Sequence, residues 1–166
     1  MSRPLASSPL VHLLAGLTGA GKTAYARELE TQQPAVRFSL DEWMLRLYQL
    51  RYDDPRYPAL AEACKDLIWD IARQVLRAGV DVVLDWNQWS RARRHEWSSK
   101  VTESGYVPIL HYIRVTPETA IARAEQRAAH RTAGAHVLDA DAILHLLSIF
   151  EEPAEDENIE LHIVGQ

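Results

Sequence analysis

The stretch Leu10–Glu30, LVHLLAGLTGAGKTAYARELE, decides how this chain is read. Within it, Gly16, Leu17, Thr18, Gly19, Ala20, Gly21, Lys22 and Thr23 fill the pattern G-x-x-x-x-G-K-[ST]. Glycines at those positions let backbone N–H groups turn inward and approach an anion closely. The helix expected to follow aims the positive end of its dipole at the same point. Lys22 is placed to reach the β- and γ-phosphates of a nucleotide, and the Thr23 hydroxyl to ligate Mg²⁺. The flanks agree with this: Leu10 to Ala15 is an apolar run of strand length, and Ala24 to Leu29 is good helix material. The alternative is a glycine-rich turn carrying a chance Lys-Thr.

The rest of the composition bounds the answer. A chain of 166 residues, 47% hydrophobic and 25% charged, is expected to form one domain over residues 1–166 with a sizeable core. The net charge of −5 argues against general attraction to nucleic acid, though not against a local basic patch. Cys64 is the single cysteine, so neither an internal disulfide nor a thiolate metal cluster can form. A reducing, cytoplasmic setting is therefore expected. Arg3 followed by Leu10–Ala15 is too short an apolar segment for a secretory signal and runs straight into the glycine loop. No stretch is long enough to span a membrane.

Strand-like and helix-like segments alternate downstream. Strands are expected at Val36–Leu40, Val80–Leu84, Ile109–Val115 and Leu161–Val164. A long helix is expected from Ala59 to Ala78, with Leu60, Ala63, Cys64, Leu67, Ile68, Ile71 and Val75 on its apolar face and Gly79 as its stop. Ser90 reads as the cap of a helix ending near Ser104 and Gly105. Thr116-Pro117-Glu118 opens another helix, running to about Arg131. A last helix is expected from Asp139 to Glu151. Alternation of this kind implies a parallel sheet covered on both faces, with ligands beyond the carboxyl ends of its strands. Gly16, Asp41 and Asp85 are all expected just past such ends, converging on one edge of the sheet.

Asp41, in RFSLDEWMLRLY, stands at a helix start. It is either an N-cap or a general base that takes a proton from a substrate hydroxyl. Trp43, Met44, Tyr48, Tyr52 and Tyr57 suit either an acceptor pocket or the core. Asp85, closing DVVLD, is either a turn-former or a carboxylate that organises Mg²⁺ through water. Arg123, Arg127 and Arg131 share one helix face with no acid three or four residues away, a repulsion that an arriving triphosphate would relieve. Arg91, Arg93 and Arg94 crowd the first turn of a helix, where cations oppose the dipole; this too hints at a bound anion, although Glu96 is near. The seven histidines show no zinc-ligand spacing, and structural roles are expected for them.

These pieces together resemble the small phosphate-loop kinases of the polynucleotide kinase, zeta toxin and chloramphenicol phosphotransferase type, an AAA-type ATP-binding domain. The resemblance rests on GLTGAGKT, Asp41, VVLDWNQWSRARR, VTPETAIARAEQR and the late FEEP at Phe150–Pro153, and covers nearly the whole chain. It implies an α/β phosphate-loop NTPase sandwich with a five-stranded parallel sheet in the order 2-3-1-4-5 and a small lid bearing arginines. It further implies ATP with Mg²⁺ and transfer of the γ-phosphoryl group to a hydroxyl. Asp41 matches the base of that family, Lys22 and Thr23 the nucleotide and metal residues, and Arg123 and Arg127 the lid arginines. Arg94 matches an arginine that follows the third strand. Many relatives carry Thr-Asn two and three residues after the strand-end Asp; Asn87 and Gln88 stand there in this chain, in a segment that helps shape the acceptor site.

The expectation is an ATP-dependent kinase acting on a hydroxyl of a small molecule such as an antibiotic, nucleoside or sugar-like compound. Gly16 to Thr23, Arg123, Arg127 and Arg131 would bind ATP. Thr23 and Asp85 would serve the metal, and Asp41, Trp43, Asn87, Gln88 and Arg94 the acceptor. Trp86 and Trp89 suggest an acceptor with an apolar or planar part. The alternatives are a polynucleotide 5′-hydroxyl kinase, favoured by Arg91–Arg94 and disfavoured by net charge, and an ATPase or nucleotide switch without an acceptor. The chain has no N-K-x-D string for reading guanine.

Overall fold

Five of the apolar runs become the strands of one sheet: β1 (Leu10–Ala15), β2 (Ala35–Ser39), β3 (Asp81–Asn87), β4 (Val107–Ile113) and β5 (Glu160–Val164). The computed structural model describes residues 8–50, 53–129 and 140–165. All neighbouring strands run parallel, in the order β2-β3-β1-β4-β5. This is the phosphate-loop NTPase α/β fold, with the expected strand order. The central strand explains its own place: Val11, Leu13, Leu14 and Ala15 are wholly shielded from water, as a strand covered on both faces demands.

Helices α1 (Lys22–Gln32), α2 (Leu40–Leu47), α3 (Tyr57–Arg77), α4 (Arg91–Glu103), α5 (Pro117–Ala129) and α6 (Ala140–Ser148) complete the layers. On one face Leu14, Ala26, Leu29, Val83 and Ile113 pack beneath α1. On the other, Leu13, Leu84, Ile68, Trp69, Trp86 and Trp97 join α3 and α4 to the sheet. Trp97 meets Trp86 edge-on at 5.0 Å and Trp69 at 6.0 Å between ring centroids. Such geometry adds to the area that the rings bury.

Local chemistry sets the boundaries. The Ser39 hydroxyl accepts from Glu42 N and caps α2; the Ser90 hydroxyl accepts from Arg93 N and caps α4. Gly79 and Gly105 stop α3 and α4 at φ values of 80° and 85°, open only to glycine at little cost. Three expectations need correction. The buried face of α3 is Ala61, Cys64, Lys65, Ile68, Trp69, Ala72 and Leu76, whereas Leu67 is half exposed. The helix is turned by about one position because Trp69, the bulkiest apolar group on it, is drawn to Trp97. Strand β2 stops at Ser39, leaving Leu40 in the helix. Strand β3 continues to Asn87, so Asp85 lies inside the strand rather than past its end. The β1–β3 register slips between Leu13↔Leu84 and Leu14↔Asn87, and the resulting bulge spans Asp85 and Trp86. The expected helix limits at Arg131 and Asp139 lie outside the described residues.

Candidate active site

The loop between β1 and α1 is built as an anion cradle. Gly19 and Gly21 take φ values of 88° and 104°, which turn the backbone as L side chains rarely allow. A Cβ on Gly19 would stand 2.1 Å from the Ala120 carbonyl of α5, whereas one on Gly21 would meet open space. Helix α1 begins at Lys22 with no side-chain cap and no acid in its first turn, so its positive end is left for an incoming group. Lys22 Nζ donates to the carbonyls of Gly16 and Leu17 at 2.9 Å each. Burial pulls the Lys22 ammonium down to about 8, the Arg127 charge adds to this, and Asp85 and Asp41 oppose it. A polyanion in the cradle would reverse that imbalance.

Around the cradle stand the carboxylates. The Thr23 hydroxyl donates to Asp85 Oδ1 at 3.3 Å, and Arg37 donates to Asp85 Oδ2 at 2.7 Å. Burial pushes the Asp85 carboxyl up, the Arg37 bond and charge pull it back, and Asp41 pushes it up again; the net direction is upward. Thr23 and Asp85 offer hard oxygen donors side by side, a set that suits Mg²⁺. Asp41 occupies the first turn of α2, half-buried, and the cap is Ser39, not Asp41. Its charge is felt at Lys22, at Asp85 and at Tyr57, whose hydroxyl is held well above its ordinary range by burial and then by Asp41. The fold thus brings Asp41 and Asp85 to one end of the sheet beside Lys22, from positions far apart in sequence.

The arginines divide. Arg123 donates from Nη1 to the Ala20 carbonyl at 3.4 Å, and Arg127 lies within electrostatic reach of Lys22. Arg123 thus touches the cradle and Arg127 is felt there; Arg131 falls outside the described residues. Arg94 is fully buried. It bonds both oxygens of Glu157 at 2.6 and 2.7 Å and donates to the carbonyls of Gln88, Glu151 and Glu152. Burial opposes ionisation of Glu157, but these bonds hold its carboxyl below the usual range. Arg94 therefore cannot serve as an acceptor ligand: its guanidinium already has its partners. Arg91 pairs with Asp156 at 2.9 Å, and Arg93 with Glu62 at 2.9 Å and Glu96 at 3.6 Å. The Glu151 carboxylate accepts from Arg91 N at the start of α4. The anions hinted at by this basic cluster are the chain's own carboxylates, on the segment after α6 for Arg91 and Arg94 and on α3 and α4 for Arg93.

The other expected acceptor residues also part ways. Trp86 and Met44 are core, packed on Trp97 and the α2–α3 face, and Trp43 leans edge-on against Phe38. Tyr48 is exposed, and Tyr52 lies outside the described residues. Asn87 Oδ1 and Gln88 Nε2 are buried without a hydrogen-bond partner among the described residues. Two features were missed. Arg37, on β2, gave no signal beyond being a polar residue in a strand. A buried histidine pair, His12 and His111, bonds at 2.9 Å, with Tyr25 OH on the far nitrogen of His111 at 2.9 Å. Burial lowers His111 to about 3, with His12 and His162 adding to it, and burial also lowers His12.

The family model described as AAA domain matches residues 11–153. The chain belongs to the AAA domain family. Solved structures share the fold of this AAA domain at low identity. Kti12 of Chaetomium thermophilum, crystallised with ADP-AlF3, is 17% identical over 94% of this chain and 88% of that one, with a TM-score of 0.69. A candidate kinase of Chloroflexus aurantiacus is 17% identical over 95% of this chain and 88% of its own, with a TM-score of 0.73. A chain of the Pnkp1/Rnl/Hen1 RNA repair complex is 18% identical over 89% of this chain and 46% of its own, with a TM-score of 0.69. No curated protein matches the sequence. These likenesses make the AAA domain a phosphate-loop domain of kinase-like fold. Among the described residues, no helix is long and apolar enough to cross a membrane.

Proposed function

We propose that this AAA domain is an ATP-dependent kinase that transfers the γ-phosphoryl group to a hydroxyl of a small-molecule acceptor. The observation that carries the reading is the place of Asp41 in the first turn of α2, just after Ser39 pairs with Asp85 across β2–β3, so that its charge is felt at Lys22, Asp85 and Tyr57. An enzyme that only hydrolyses ATP positions water and needs no acceptor pocket beside that carboxylate. Residues Gly16 to Thr23 would wrap the phosphates, with Lys22 leaving its carbonyl partners to meet the β- and γ-oxygens. Asp41 would take the proton of the acceptor hydroxyl. That oxygen would attack the γ-phosphorus in line as the bond to the β-bridging oxygen breaks and ADP departs. Arg123 and Arg127 would balance the charge that spreads over the moving group. Thr23, with Asp85 behind it, would hold Mg²⁺, which supplies charge neutralisation of the phosphate oxygens. The buried, unpartnered Asn87 Oδ1 and Gln88 Nε2 would gain partners from an acceptor.

The polynucleotide alternative loses its main support, because Arg91, Arg93 and Arg94 are matched by Asp156, Glu62, Glu151 and Glu157. The test is a screen of hydroxyl-bearing small molecules and 5′-hydroxyl oligonucleotides with γ-labelled ATP. Label is expected on a small molecule, and Asp41→Asn is expected to lower transfer by about 10²–10⁴-fold while ATP still binds. Label on oligonucleotides alone, or transfer untouched by Asp41→Asn, would overturn the reading. Compounds that merely bind without accepting label count against it as well.

A further inference from the structure

We infer that Arg37 is a positioning residue that sets the metal-side carboxylate against the acceptor-side helix. This rests on the reading of Asp41 as base and Asp85 as the carboxylate behind Thr23. The guanidinium is largely shielded on the α1 face of the sheet; it bonds two acids and faces a third that Nε does not bond. Nη1 bonds Asp85 Oδ2 at 2.7 Å, Nη2 bonds Glu42 Oε1 at 2.9 Å, and Nε faces Glu30 Oε2 at 3.5 Å. Asp85 in turn accepts from Thr23. Glu42 is the residue next to Asp41 in the first turn of α2, and Arg27 of α1 grips the same Glu42 oxygen at 3.2 Å.

The arrangement follows from strand geometry. Ser39 pairs with Asp85 across β2–β3, and Arg37 stands two residues earlier on the same face. Its long stem therefore brings the fork up under Asp85 while the other arm extends to the helix that leaves β2. One planar group thus ties β3 to α2. A lysine ammonium, a point charge on a flexible stem, cannot hold two carboxylates at a fixed separation in this way. Without the tie, Asp85 would lose its stronger partner, and the first turn of α2 would lose its link to the sheet. Only Asp85 and Arg37 are shielded, at 4% and 10% side-chain exposure, but pairing two such charges is poor design for stability alone, since apolar groups of the same volume would serve as well or better. It makes sense where two carboxylates must keep a set distance.

The experiment compares Arg37→Lys, Arg37→Gln and Glu42→Gln in the full chain. ATP affinity is measured by calorimetry across a Mg²⁺ series, kcat and KM by label transfer, and Tm by circular dichroism. Outer-shell losses of this kind cost about 10–100-fold in metal affinity or activity. Arg37→Lys and Arg37→Gln are expected to raise the Mg²⁺ concentration for half-maximal tightening of ATP binding by about tenfold or more. They should also lower kcat more than they raise the KM for acceptor. Glu42→Gln, which cuts only the α2 arm, is expected to lower kcat and leave the Mg²⁺ dependence alone. A drop in Tm with the Mg²⁺ dependence and kcat of folded protein unchanged would overturn the inference and leave the kinase reading standing. Should Arg37→Gln not fold, Arg37→Lys and Glu42→Gln carry the same comparison. If wild type binds ATP with Mg²⁺ but labels no acceptor, the kinase reading fails, while the Mg²⁺ series still decides whether Arg37 positions Asp85.

Discussion

Two helices of this chain carry arginine clusters that look alike in sequence and end in opposite conditions. In α4, Arg91, Arg93 and Arg94 are answered by acids of the chain itself, three of them in the segment after α6. In α5, Arg123 touches the phosphate cradle, and Arg127 helps to lower Lys22. Each cluster offends a local rule, like-charge spacing in α5 and dipole direction in α4. The difference lies in what the chain returns to them from a distance. A surplus of positive charge on a helix marks a ligand site only after the long-range acids have been placed, and here the chain places them on α4 alone.

The sharpest way to break this contrast is to remove the arginines on each side. Arg123→Ala with Arg127→Ala is expected to lower kcat for phosphoryl transfer by about 10³-fold or more, as loss of transition-state arginines does in related chemistry. Its Tm should hardly move. Steady-state transfer assays beside thermal melts check both halves, and an unchanged kcat would place α5 with α4 as merely structural. Arg94→Ala should do the reverse. It strands the buried Glu157 carboxylate and is expected to cost about 3–5 kcal/mol of stability in urea unfolding. Arg94→Ala with Glu157→Gln should recover part of that loss. A variant that keeps wild-type stability but loses acceptor binding would restore Arg94 to the acceptor site. Arg91→Ala, which cuts an exposed pair, is expected to leave Tm and transfer unchanged.

A smaller effect lies beneath the cradle, at the histidine pair. The folded state keeps His111 neutral down to about pH 3, whereas the unfolded chain protonates it near its ordinary value. Between the two, the unfolded chain binds the extra proton, so stability is complete above the unfolded pKa and falls as the pH drops below it. By pH 5 the loss from His111 alone should be about 2 kcal/mol, and His12 acts in the same direction. Chemical denaturation at pH 7, 6 and 5 checks this; a flat profile would mean that the pair takes up protons while folded.

What could be read from the sequence follows the range of the interactions. The glycine loop, the Ser90 cap and the glycine stops are local devices, and they appear in the structure where residue chemistry puts them, whereas the α2 cap is Ser39 and not the expected Asp41. The strand order came through the family resemblance, since no single-residue rule contains it. The apolar face of α3 was misjudged because the stripe is broad enough for two settings, and only Trp97 on another helix chooses between them. Arg94 was misjudged for the same reason: its main partner lies 63 residues on. Arg37 was invisible because its meaning depends on a register two strands wide, and a lone arginine in AVRFS carries no period or motif.

Gly19 leaves a mechanical consequence. With α5 backbone so close that a single added carbon would stand 2.1 Å from the Ala120 oxygen, the floor of the cradle and the root of the arginine helix are in effect one block. Even alanine at Gly19 would force the loop and the start of α5 apart.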